Sequence, residues 1–114
     1  MLRIRTEQFD VFSKHMRQQF EDRMAVRLRS RFPDHTRPIE EPELRTFIRN
    51  GIERAATHNV TAEFDVQRYL EYMVKYGQEF DASPDMSWAG DILNREDLDG
   101  SEKMDRIDDR DLFA

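Results

Sequence analysis

Residues 9–32 read FDVFSKHMRQQFEDRMAVRLRSRF, and the fold follows from the spacing of their apolar members. Phe9, Phe12, Met16, Phe20, Met24, Leu28 and Phe32 recur every three or four positions, which is the stripe an α-helix needs to bury one side. Thr6 is placed to cap the start and Pro33 to stop the end, which predicts one long helix of about seven turns. Steps of four overshoot the 3.6-residue turn by about 40° each, so the stripe winds around the helix and its partners must wrap it. Arg27, Arg29 and Arg31 lie near its C-terminus, where the helix dipole favours cations.

Outward from that helix, residues 33–41 hold two prolines and no period, and are expected to be a connection. Pro42 suits the first turn of a second helix, whose core face is Leu44, Phe47, Ile48, Ile52, Ala55 and Ala56. Gly51 inside it costs about 1 kcal/mol relative to Ala, so a close helix crossing is expected there. Asn59 suits the left-handed end of that helix. Thr61 is expected to cap a third helix burying Val66, Tyr69, Leu70, Met73 and Val74, and Gly77 to close it. Residues 6–11 and 61–66 open alike, which reads as shared capping grammar instead of a repeat.

Beyond Gly77 a turn-rich stretch leads to a short helix near 87–94, with Trp88, Ile92 and Leu93 facing inward. Residues 95–114 carry six Asp and two Glu and few apolar side chains. Ser101 could cap one last amphipathic helix using Met104 and Ile107, too small to stand alone and therefore either docked or mobile. The expected fold is an all-α bundle: a long N-terminal helix, an antiparallel helix pair, a short Trp-bearing helix and an acidic C-terminal tail. The division is 1–94 for the bundle domain and 95–114 for the tail.

At 114 residues and 13.7 kDa the chain has room for one modest core and excludes a large catalytic fold. No apolar run can cross a bilayer and no secretory leader opens it, so a cytoplasmic protein off the membrane is expected. The absence of Cys removes disulfides, thiolate zinc sites and a cysteine nucleophile. The net charge of −6 hides a polarity: residues 1–58 hold 12 Lys/Arg against 9 Asp/Glu, and residues 59–114 hold 6 against 15. That balance disfavours nonspecific binding to nucleic acid.

Catalytic, cofactor and metal sites are not expected. His15, His35 and His58 have no ligand spacing. Residues 97–101 resemble a calcium loop only until Arg95 and Arg106 fall at the positions that need carboxylates. Residues 55–70 resemble a helix-turn-helix, yet Glu63 and Asp65 stand where phosphates would approach and only Gln67 and Arg68 could contact DNA. Interaction chemistry remains. Tyr69, Tyr72, Tyr76, Phe80 and Trp88 cluster near the end of the third helix, and Tyr72, Tyr76, Glu79, Asp81 and Asp85 are the expected surface for a protein partner.

Ile4-Arg5-Thr6-Glu7-Gln8 with Phe12 and Phe20, Glu21-Asp22-Arg23-Met24, residues 48–55, and Phe80-Asp81 through Pro84 to Trp88-Ala89 and Ile92-Leu93 form a further set of stretches. Together they resemble a family of small bacterial proteins encoded near type VI secretion spike, PAAR-repeat and toxin genes. The resemblance spans residues 2–93. It implies a non-enzymatic adaptor or co-chaperone whose partner is a secretion effector, its chaperone or a spike component. An immunity protein that masks a toxin is the nearest alternative, and a helix-turn-helix DNA-binding protein a more distant one.

Overall fold

The computed structural model describes residues 13–113. They form α1 (Ser13–Arg31), α2 (Pro33–Thr36), α3 (Glu41–Thr57), α4 (Glu63–Tyr76), two 3-10 turns (Phe80–Ala82 and Pro84–Met86), α5 (Ser87–Leu93) and α6 (Gly100–Phe113). The Thr6 cap, Phe9 and Phe12 lie outside the described residues. There is no strand among the described residues, and none of their helices is long and apolar enough to cross a membrane.

The wound stripe of α1 buries Phe20, Met24 and Leu28, whereas Met16 is exposed and Phe32 half-buried. Pro33 does end α1, because it has no N–H to continue the helical ladder, but it also starts α2, where that N–H is not needed. The expected plain connection is thus a structured corner. Arg29 holds it by donating to the carbonyls of Thr36 at 2.9 Å and Ile39 at 2.8 Å.

α1 packs on α3 and α4, which pack on each other. Leu44, Ile48, Ile52 and Ala55 of α3 meet Val66, Tyr69, Leu70 and Met73 of α4 in one apolar cluster with the α1 stripe. Their crossing is close at Gly51, where a Cβ would sit 2.3 Å from Leu70 Cδ2 and 2.8 Å from Met73 Sδ. Asn59 at φ 65° turns the chain, and the Val60 N–H reaches back to the Ala55 carbonyl at 3.0 Å, which closes α3. The cap of α4 falls on Ala62, one residue beyond Thr61, and no side chain caps it; Glu63 and Asp65 place negative charge in its first turn instead.

The acidic C-terminal segment is part of this core. Met104 and Ile107 of α6 are fully buried in the same cluster as Leu70 and Phe20. Asp99, not Ser101, starts the helix: its carboxylate accepts from the Glu102 N–H at 2.8 Å, while Glu102 accepts from the Asp99 N–H at 2.9 Å. Gly100 is required by proximity, because a Cβ there would lie 2.4 Å from the Asn59 carbonyl oxygen. Trp88 is half-buried, with the Arg110 guanidinium 5.5 Å from its ring, which joins α5 to α6.

Candidate functional site

α4 is the spine of the molecule. Its inner face is core, and its outer stripe of Phe64, Gln67, Arg68, Glu71 and Lys75 floors a valley between α1 and α6. The α1 wall is locked by Arg23 to Glu63 and Arg27 to Glu71, each at 2.6 Å. Arg27, Arg31 and Phe32 complete this side of a cleft of about 330 Å³. Phe64 is 65% exposed on its floor, with the Arg68 guanidinium 4.9 Å from its ring. Arg31 packs over Phe32 at 6.0 Å and holds no carboxylate among the described residues.

The α6 wall is held by a ladder of carboxylates. Asp105 and Asp108 accept from Arg68 at 2.8 and 2.7 Å, and Asp65 accepts from the same guanidinium at 2.5 Å. One turn further along α4, the Tyr72 hydroxyl donates to Asp108 at 2.6 Å; beyond it, Tyr76 and Lys75 both reach Asp111, at 2.5 and 3.1 Å. Burial pushes the Arg68 pKa down, but its three carboxylates outweigh that and raise it above the ordinary value. Burial and the bond to Asp108 push the Tyr72 phenol up, and the bond to Asp111 does the same for Tyr76. Burial opposes ionisation of Asp111, yet hydrogen bonds from Tyr76 and Lys75 hold its carboxyl below the usual range.

A second polar cluster lies where α3 ends against the first 3-10 turn. Asp81, only 6% exposed at its side chain, accepts from Arg54 Nε at 2.8 Å on both oxygens and pairs with His58 Nε2 at 2.8 Å. Burial pushes the Asp81 carboxyl up, but the bonds from His58 and Arg54 prevail and hold it low. The fully buried Tyr69 hydroxyl stands near Asp81 without closing a hydrogen bond, and burial pushes its phenol up. A cleft of about 480 Å³ lined by Asn50, Thr57, His58, Gln78 and Glu79 opens beside this cluster.

The five residues expected to form a partner surface are therefore divided. Tyr72 is buried beneath α6, Tyr76 is 41% exposed and bonded to Asp111, and Asp81 is internal. Glu79 and Asp85 are exposed, on the approach to the first 3-10 turn and in the second. Asp81 leaves the surface because Arg54 and His58, both at the end of α3, draw its carboxylate inward. Of the two side chains that a helix-turn-helix would turn to DNA, Arg68 is occupied by three carboxylates and Gln67 is half-buried in the valley. Asp97 is taken by Arg95 and Asp99 by the start of α6, where a calcium loop would need them free.

Neither Phe64 nor the ladder stands out in the sequence. The available signal was the three-residue spacing of Asp105, Asp108 and Asp111 against Arg68, Tyr72 and Tyr76 at four, both of which place charge and hydroxyls along one helix face. Comparison with known proteins finds no matching family model, no matching curated protein and no matching solved structure.

Proposed function

We propose that this chain is a non-enzymatic protein-binding accessory, acting as an adaptor or co-chaperone for a type VI secretion effector or its loading factor. One observation carries the binding part: Phe64 stands 65% exposed in a valley bordered by Arg27, Arg31 and Phe32. A large apolar side chain held in water and rimmed by guanidinium groups is the composition of an interface anchor, since Phe and Arg bury well together when a partner excludes water. The titratable groups drawn inward are meanwhile spent on one another, as Asp81 is on Arg54 and His58. The secretion part rests on the resemblance carried by residues 2–93.

The test is co-expression of the full chain with effectors encoded beside it. Phe64→Ser should weaken capture about tenfold, as loss of an aromatic anchor does, while thermal stability stays within about 0.5 kcal/mol because the ring is exposed. Higher soluble yield or secretion of an effector without protection of target cells supports the co-chaperone. Protection of intoxicated cells with direct binding to the toxin domain replaces it by the immunity reading, and capture indifferent to Phe64 removes the valley as the site.

A further inference from the structure

We infer that the face of α4 covered by α6 is a docking groove for an acidic amphipathic helix of a protein partner, and that α6 is the occupant the chain itself supplies. This rests on the protein-binding reading above and names the chemistry of the partner.

The occupant is defined by what sits there. α6 spans Gly100–Phe113, and among its described side chains the apolar ones it buries fully are Met104 and Ile107. Two such side chains do not offset the ordering of a fourteen-residue helix. Its attachment is completed by carboxylates at three-residue spacing, each matched to a donor of α4: Asp105 and Asp108 to Arg68, Asp108 to Tyr72, and Asp111 to Tyr76 and Lys75. The pattern that fits the groove is therefore an acid at three successive third positions, with apolar residues just before the first and the second. Charge complementarity to Arg68 and Lys75 commits the groove to an acidic helix.

The tether permits exchange. Between α5 and α6, residues 94–99 have no helix and are exposed except for Leu98. The first turn of α6 has its own anchor, where Ser101 donates to Asp65 and the buried Lys103 donates to the His58 carbonyl at 2.8 Å. An incoming helix must displace α6 past that anchor to reach Tyr72, Lys75 and Tyr76. Tethering gives α6 the advantage of effective concentration, which a partner overcomes by mass action or by a better match.

The experiment uses full-length chain and a fluorescein-labelled peptide with the sequence of residues 98–113, followed by anisotropy. Replacing Asp108 and Asp111 by Asn in the chain weakens its own helix, and the wild-type peptide should then bind about tenfold tighter than to wild-type chain. A peptide with Asp105, Asp108 and Asp111 all changed to Asn should lose that gain. Equal binding to the two chains, or equal binding of the two peptides, overturns the proposal. Should the doubly substituted chain lose its helical circular dichroism, hydrogen exchange on wild-type chain decides: α6 amides opening at least about tenfold faster than those of Leu70 and Met73 support a separable helix, and equal protection overturns it. Loss of peptide exchange with Phe64-dependent effector capture intact would sink this inference alone; the converse result would remove the valley and leave the groove.

Discussion

α4 is docked on both sides, and the two dockings use opposite chemistry. Against α3 it presents Leu70 and Met73 to a glycine, so the two backbones approach closely and the contact is apolar. Against α6 it presents Arg68, Tyr72, Lys75 and Tyr76 to a row of aspartates, with Met104 and Ile107 as the buried apolar contribution. The first contact has no charge across it, so salt and pH should leave it alone while added volume should break it. The second is held by ion pairs and hydrogen bonds, so it should weaken with salt. One helix thus joins an apolar crossing to a contact held mainly by charge.

The harshest way to break the apolar side is Gly51→Leu. A Cβ alone would fall 2.3 Å from Leu70 Cδ2, and a full isobutyl group must displace both Leu70 and Met73. We expect a loss of about 3 kcal/mol or more, in the upper range for overpacking, read as a lower urea midpoint with an unchanged slope. Gly51→Ala sharpens the point. The groups it meets are the flexible ends of side chains, and the helix gains about 1 kcal/mol of propensity, so the net change should be within about 1 kcal/mol. Stability unchanged in the leucine variant would show that the crossing is not close.

Asp81→Ala comes next, about 2 kcal/mol, because it leaves Arg54 and His58 facing each other without their shared carboxylate. Its pH signature separates it from a packing effect. The folded-state carboxyl is held below its usual value of 3.8, so its contribution is present above that value and is lost as pH falls through the lower folded-state value. Wild type and variant should differ at neutral pH and converge in strong acid, as followed by urea unfolding at a series of pH values. A constant difference down to acid pH would assign the effect to shape and not to charge.

What could be read in advance follows the same division. Phe20, Met24 and Leu28, the Gly51 crossing, the left-handed Asn59 and the closing Gly77 at φ 109° were legible because apolar period and backbone geometry are local properties. Asp105, Asp108 and Asp111 were not, since three acids on one side of a short helix look like a solvated face until their donors 35 to 40 positions away are known. Asp81 was placed at the surface for the same reason: nothing near it in sequence announces Arg54 or His58. Polar contacts between distant segments carry no period, so their residues were identified by type and their burial was missed.

The smallest effects lie within the ladder and grade along it. Tyr72 and Tyr76 stack at 6.1 Å and both donate to aspartates, yet Tyr72 is 7% exposed and Tyr76 41%. Tyr72→Phe should cost about 1 kcal/mol, since it leaves Asp108 short of a buried donor, and Tyr76→Phe about half that, since water can replace the lost hydroxyl. Both phenols titrate above their ordinary value of 10.0, because burial and the Asp108 bond disfavour the Tyr72 phenolate and the Asp111 bond disfavours that of Tyr76. A raised folded-state pKa contributes stability fully below the unfolded value and loses it as pH rises toward the folded one. Wild type should therefore weaken above about pH 10, and each Phe variant should weaken less steeply, Tyr72→Phe most of all. Ultraviolet titration of the phenols beside urea unfolding checks both. Ionisation of Tyr72 and Tyr76 at their ordinary pH, with the fold intact, would mean that α6 does not seal the face of α4 in solution.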